Sequence, residues 1–94
     1  MSWIYVSNNI LLKYLDCSRN QFTSLDVSNN TLLTELRCYS NQLTNLDVSN
    51  NTSLTYLKCN SNQITCIKVN ESQLNNDVSD WTKDNPSEWS LDCD

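Results

Sequence analysis

Five cysteines and no histidine are the residues of sharpest chemistry in this 94-residue chain, and their spacing excludes most of the reactions they serve elsewhere. Cys17, Cys38, Cys59, Cys66 and Cys93 contain no C-x₂₋₄-C pair, the arrangement that converges thiolates on zinc. Without histidine the usual general base is missing, and no serine or cysteine stands beside an evident activating partner. Glycine is absent, so no glycine-rich loop is available to cradle phosphate. Asp80, Asp84 and Asn85 are hard oxygen donors, but they lack the D-x-D-x-D-G order and the glycine that a tight calcium loop needs. The residues therefore predict no catalytic group, no cofactor and no metal site; the chain is not read as an enzyme.

Charge narrows the partners further. The formal net charge is −5, and it is unevenly placed. Residues 71–94 hold Glu71, Asp77, Asp80, Asp84, Glu88, Asp92 and Asp94 against Lys83 alone, a net of −6. Residues 1–70 hold Lys13, Arg19, Arg37, Lys58 and Lys68 against Asp16, Asp26, Glu35 and Asp47, a net of +1. No basic stripe suits nucleic acid, and no apolar run approaches the roughly 20 residues that cross a bilayer as a helix.

The elements that position these residues come from a repeat. The segment Leu12-Lys13-Tyr14-Leu15-Asp16-Cys17-Ser18-Arg19-Asn20 and its continuation to Thr31 align without a gap to segments starting at Leu33 and Leu54, a period of 21 residues. Such a period predicts a solenoid, whose units bury their apolar faces only against one another. Leu15, Leu36 and Leu57 form one column, Cys17, Cys38 and Cys59 a second, Asn20, Asn41 and Asn62 a third, and Phe22, Leu43 and Ile64 a fourth. Leu25, Leu46 and Ile67, then Val27, Val48 and Val69, then Asn30 and Asn51 follow. Ile4, Val6, Asn9 and Leu12 fit the last columns, so the chain begins in the middle of a unit.

Alternation at 14–18, 35–39 and 56–60 has the period of a strand, and strands stacked about 4.8 Å apart pair as a parallel sheet. A second alternation at 25–27, 46–48 and 67–69, foreshadowed at 4–6, predicts a short extended arm or a 3₁₀ turn, with little or no α-helix in the repeats. With no glycine, the fifteen asparagines are expected to supply the left-handed corners and to bond nearby main chain. Asn20, Asn41 and Asn62 are read as a structural column turned inward onto loop carbonyls and N–H groups. Cys17, Cys38 and Cys59 face inward, where free cysteine acts as a small hydrophobe.

The order Leu-x-x-Leu-x-Cys-x-x-Asn-x-Leu resembles the leucine-rich repeat, with Cys in place of a third Leu, and the whole unit is similar to the 21-residue repeats of secreted and cell-surface proteins of Bacteroidetes-type bacteria. The resemblance covers residues 4 to about 70. It implies a predominantly β solenoid, with a partial repeat at 1–11, three repeats over 12–69 and an irregular, acidic, Trp-containing cap over 70–94. Leu74, Val78, Trp81, Trp89 and Leu91 of that cap do not fit the columns. Cys66 falls in an outward column and Cys93 in the tail. The family's late cysteine after a Trp-Thr-Lys-Asp stretch supports pairing these two, which implies an oxidising compartment and a secreted or surface location.

The outward face of the main sheet is where such proteins usually meet a partner. Its rows place Tyr14, Glu35 and Tyr56 together, beside Asp16, Arg37 and Lys58, with Tyr39 next along. Aromatic and Arg side chains on a rigid surface suit protein recognition, so Tyr14, Glu35, Arg37, Tyr39, Tyr56 and Lys58 are the candidate contacts for a protein or glycan. The alternative is that these are solvated strand positions, favourable to Tyr in any case. A second reading makes the chain a structural piece of a longer array. Its open edge over residues 1–12, bearing Ile4, Val6 and Leu12, would then pair with another copy.

Overall fold

The computed structural model of the chain describes residues 3–76, 78 and 80–93. Asp77 and Asp94 of the acidic tail, and Met1 and Ser2 of the expected docking edge, lie outside the described residues. The elements in chain order are β1 (Tyr14–Asp16), β2 (Glu35–Arg37), β3 (Leu46–Asp47), β4 (Tyr56–Lys58), β5 (Cys66–Lys68), α1 (Glu71–Asn75) and β6 (Glu88–Ser90). Strands β1, β2 and β4 form one parallel sheet in that order, with Leu15 opposite Leu36 and Leu36 opposite Leu57. Strands β3, β5 and β6 form a second parallel sheet.

Each three-residue strand of the first sheet puts one leucine inward and two side chains outward, and Leu36 and Leu57 are completely buried. The same cysteine N–H then extends the pairing. Cys17 donates to the Arg37 carbonyl and Cys38 to that of Lys58, each at 2.9 Å. The sequence columns Phe22-Leu43-Ile64, Val27-Val48-Val69 and Leu33-Leu54 all lie in one core between the two sheets. The second sheet is shorter than the alternation suggests, because residues 25–27 and 4–6 form no strand.

Two expectations are corrected. Asparagine does not make the left-handed corners: Arg19, Ser40 and Ser61 do, with φ of 59°, 58° and 59°. Each stands immediately before a column asparagine. That asparagine must keep its amide inward, so the strained backbone falls on its neighbour, whose N–H is held by the next unit. Arg19 donates to Tyr39 O and Ser40 to Asn60 O, both at 3.0 Å.

The described part of the cap also holds a short helix and a strand within its irregular chain, and it continues the strand register. Asn70 and Gln73 bond each other's backbone N–H groups, at 2.7 Å and 2.9 Å, to start α1, a reciprocal box that satisfies two otherwise unpaired donors. Beyond the helix, Thr82 bridges Lys58, and Cys59 N–H reaches Thr82 O at 2.8 Å just as its equivalents do in earlier units. Trp89 sits opposite Ile67, and Ser90 O takes the Val69 N–H. The helix changes the spacing from 21 to 24 residues for Thr82 and to 22 for Trp89, which is why the columns appear to stop.

Candidate functional site

The outward face of β1, β2 and β4 carries the six residues expected to meet a partner, and parallel register fixes their rows. Tyr14, Glu35 and Tyr56 are consecutive neighbours, as are Asp16, Arg37 and Lys58. Arg37 Nε donates to Glu35 Oε2 at 2.8 Å, and that hydrogen bond holds the guanidinium above its ordinary range. The Arg37 guanidinium also stacks over the Tyr56 ring, 4.9 Å from its centroid. Tyr39 receives two cations, Lys58 Nζ at 4.7 Å and the Arg19 guanidinium at 5.7 Å. Tyr14 projects furthest, at 52% exposure. The six are thus brought onto one surface, with Tyr14 outside the cation–ring contacts.

Arg19 lies outside the six sequence candidates yet belongs to this surface. Its signal is that the equivalent corners hold Ser40 and Ser61, so the corner itself does not require a cation. Asp16 shares the face, and its Oδ1 accepts both the Ser18 hydroxyl, at 2.5 Å, and the Ser18 N–H, at 3.1 Å. Those bonds, the hydroxyl first, hold its carboxyl below the usual range. The same Asp-x-Ser turn recurs at Asp26-Ser28 and Asp47-Ser49.

The asparagine column sits behind the corners. Asn41 Nδ2 donates to the carbonyls of Cys17, Cys38 and Tyr39, at 3.0, 3.2 and 3.3 Å, and its Oδ1 accepts the Phe22 N–H at 3.0 Å. Asn62 repeats this pattern, with its Oδ1 accepting from Leu43 N–H at 3.0 Å. Asn20 bonds the carbonyls of Cys17 and Ser18. A second, fully buried column is formed by Asn30 and Asn51, each amide bridging two carbonyls. Gln73 of the cap completes it, donating to Val48 O and Asn51 O at 2.9 and 3.0 Å. Sequence reasoning missed Gln73, because a longer amide from a helix replaces a shorter one from a turn.

The cap imitates a further repeat with side chains elsewhere too. Thr34 N–H and Thr55 N–H each bond the preceding unit's carbonyl; Trp81 Nε1 does this for Thr55 O at 3.0 Å. Asp84 takes the Ser61 and Asn62 N–H groups on its two oxygens, at 2.9 and 3.0 Å. Its carboxylate is therefore engaged by the last corner. Trp81 and Trp89 meet edge to face, with centroids 5.8 Å apart.

Cys17, Cys38 and Cys59 are buried free thiols, and Cys66 is bonded to Cys93 with Cα atoms 5.7 Å apart, the pairing expected from sequence. Burial pushes the Cys17 thiol up to about 11 and Cys59 to about 12, and raises Cys38 well above the ordinary range. These thiols are inert as nucleophiles at neutral pH. A half-open cleft of about 600 Å³ beside α1, lined by Ser49, Thr52, Asn70, Ser72 and Trp81 among others, contains none of the six face residues. No described helix is long and apolar enough to cross a membrane.

No family model matches the chain, and no curated protein matches it. Among solved structures, the functional domain of InlJ from Listeria monocytogenes, described as including a cysteine ladder, is similar over 92% of this chain, with a TM-score of 0.60 and 24% identity. The fold is leucine-rich-repeat-like. This chain spans 28% of the length of that structure. Within this leucine-rich-repeat-like fold, the surface described above is the exposed side of the first parallel sheet.

Proposed function

We propose that the chain is a non-catalytic recognition module: a short solenoid of three full repeats and a half repeat, closed by its cap, that holds a protein partner on the outward face of β1, β2 and β4. Tyr14, Glu35, Arg37, Tyr39, Tyr56 and Lys58 are the contact residues of this reading. The observation that carries it is the set of cation–ring contacts on Tyr39 and Tyr56. They hold long side chains in place before binding, which lowers the ordering cost of an interface. The Cys66–Cys93 bond supports a secreted or cell-surface setting, and the buried thiol column parallels the ladder for which the Listeria protein is described. Binding to protein and glycan arrays tests the reading. The parent should retain a partner that the Tyr39→Ala/Arg37→Ala variant loses; equal retention by both would refute the face, and a glycan hit would change the ligand class.

A second reading has its own support. Val6 is buried and Ile4 and Leu12 are half-buried against the core, so the exposed apolar surface of the N-terminal edge is formed instead by Trp3, Tyr5, Ile10 and Leu11, at 67%, 72%, 59% and 74% exposure. A second copy meeting this edge through a two-fold axis would cover them. Light scattering should then show a dimer that Leu11→Lys and Tyr5→Lys abolish. A monomer at high concentration would sink this reading.

A further inference from the structure

The charges on the recognition face are not equally committed. Among the described residues Arg37 is ion-paired, with Glu35, whereas Arg19 and Lys58 form no ion pair, although the charges of Arg37 and Arg19 both act on the Asp16 carboxylate. Arg19 and Lys58 instead rest on the Tyr39 ring, at 5.7 and 4.7 Å. A cation held on an aromatic face keeps its charge for an incoming anion while losing the freedom that would otherwise be lost on binding. The carboxylates of this face are occupied: Glu35 by Arg37, and Asp16 by the Ser18 hydroxyl and N–H. Arg19, Arg37 and Lys58 thus outnumber Asp16 and Glu35 on the surface, in a chain whose acidity is concentrated beyond residue 70.

From this arrangement we infer that the partner presents an acidic peptide segment, with a carboxylate seated between Arg19 and Lys58 over Tyr39. The inference rests on the recognition-face reading and adds the chemistry of the ligand. Arg19 is the informative residue. The other two left-handed corners are made by serine, so a cation there serves the surface and not the turn, and Arg19→Ser should fold as the parent does. Charge complementarity of this kind acts chiefly on association rate and specificity and is weakened by salt.

A fluorescent decaglutamate peptide is the probe, titrated against the intact protein at low salt and again at about 150 mM salt, where charges more than about 8 Å apart are largely screened. Binding should weaken at the higher salt. Arg19→Ser and Lys58→Gln should each weaken it about fivefold or more, with unchanged circular dichroism, while Lys68→Gln on β5 should leave it alone. Absence of binding, equal loss with Lys68→Gln, or an oligothymidylate of the same length binding as tightly would overturn the inference. A natural partner lost with Tyr39→Ala/Arg37→Ala but retained by Arg19→Ser and Lys58→Gln would leave the recognition face standing and remove the acidic ligand.

Discussion

Asn41 shows what a single side chain does in this molecule, because its amide closes three carbonyls and its oxygen one N–H in a place no strand reaches. Asn41→Ala should cost about 1–3 kcal/mol in urea unfolding, from groups left buried without partners. Asn20→Ala, which frees carbonyls of its own turn only, should cost less. The columns of asparagine were legible in the sequence because they recur at fixed spacing. The left-handed corners were not, since Arg19, Ser40 and Ser61 carry no residue-type signal for positive φ. Left-handed geometry costs a non-glycine residue about 1–2 kcal/mol, part of which glycine's greater unfolded freedom offsets. Ser40→Gly should therefore raise stability by about 0.5 kcal/mol, read as a shift in the urea midpoint. The ionisable groups bracket the stable range. Asp16 and Asp26 are lowered in the fold from 3.8 by bonds from Ser18 and Ser28. Their contribution is present above that value and is lost as pH falls through the folded ones. Cys17 and Cys59 are raised from 9.0 to about 11 and about 12, so their contribution is complete below 9.0 and declines as pH rises beyond it. Thiolate absorbance in the folded protein should appear only at the upper end of that range; its appearance near 9.0 would contradict the burial.

The elements are too short to persist alone. No described strand exceeds three residues and α1 has five, so each is held by its neighbours. Register was readable from the leucine and cysteine spacing, which is why the repeat alone pairs Leu15 with Leu36 and Leu36 with Leu57. The tail was not readable in this way. Gln73, Trp81, Asp84 and Ser87 satisfy with side chains what the repeats satisfy mostly with main chain, and no periodicity marks such substitutions. The Cys66–Cys93 bond ties this segment to β5 across 27 residues. Breaking it releases a loop whose closure is worth about 3–4 kcal/mol in the chain-entropy model. Unfolding with and without reductant should differ by a large part of that amount. Thiol titration of the unfolded, unreduced chain should find three groups.

At the level of the whole molecule, two ends of different character meet one core. One end exposes Trp3, Tyr5, Ile10 and Leu11, whereas Trp81 and Trp89 pack over the other. A chain ending at Asn70 should lose its single species on size exclusion and bind a hydrophobic dye, because Ile64, Ile67 and Val69 would lose their cover. The face and its rows followed from the repeat, but which of its cations remain unpaired did not, since the bond from Arg37 to Glu35 depends on how two side chains of one strand turn toward each other. Thr82 and Ser90 accept the same N–H bonds that Arg37, Lys58 and Lys68 accept in earlier units, so the strand-to-strand joints of the seam before the cap match those of the seams above it. A tandem duplication of one 21-residue unit would leave those joints unaltered. Such a chain can therefore gain or lose whole units while keeping one closing segment, and the exposed face of its first sheet widens or narrows by one strand each time.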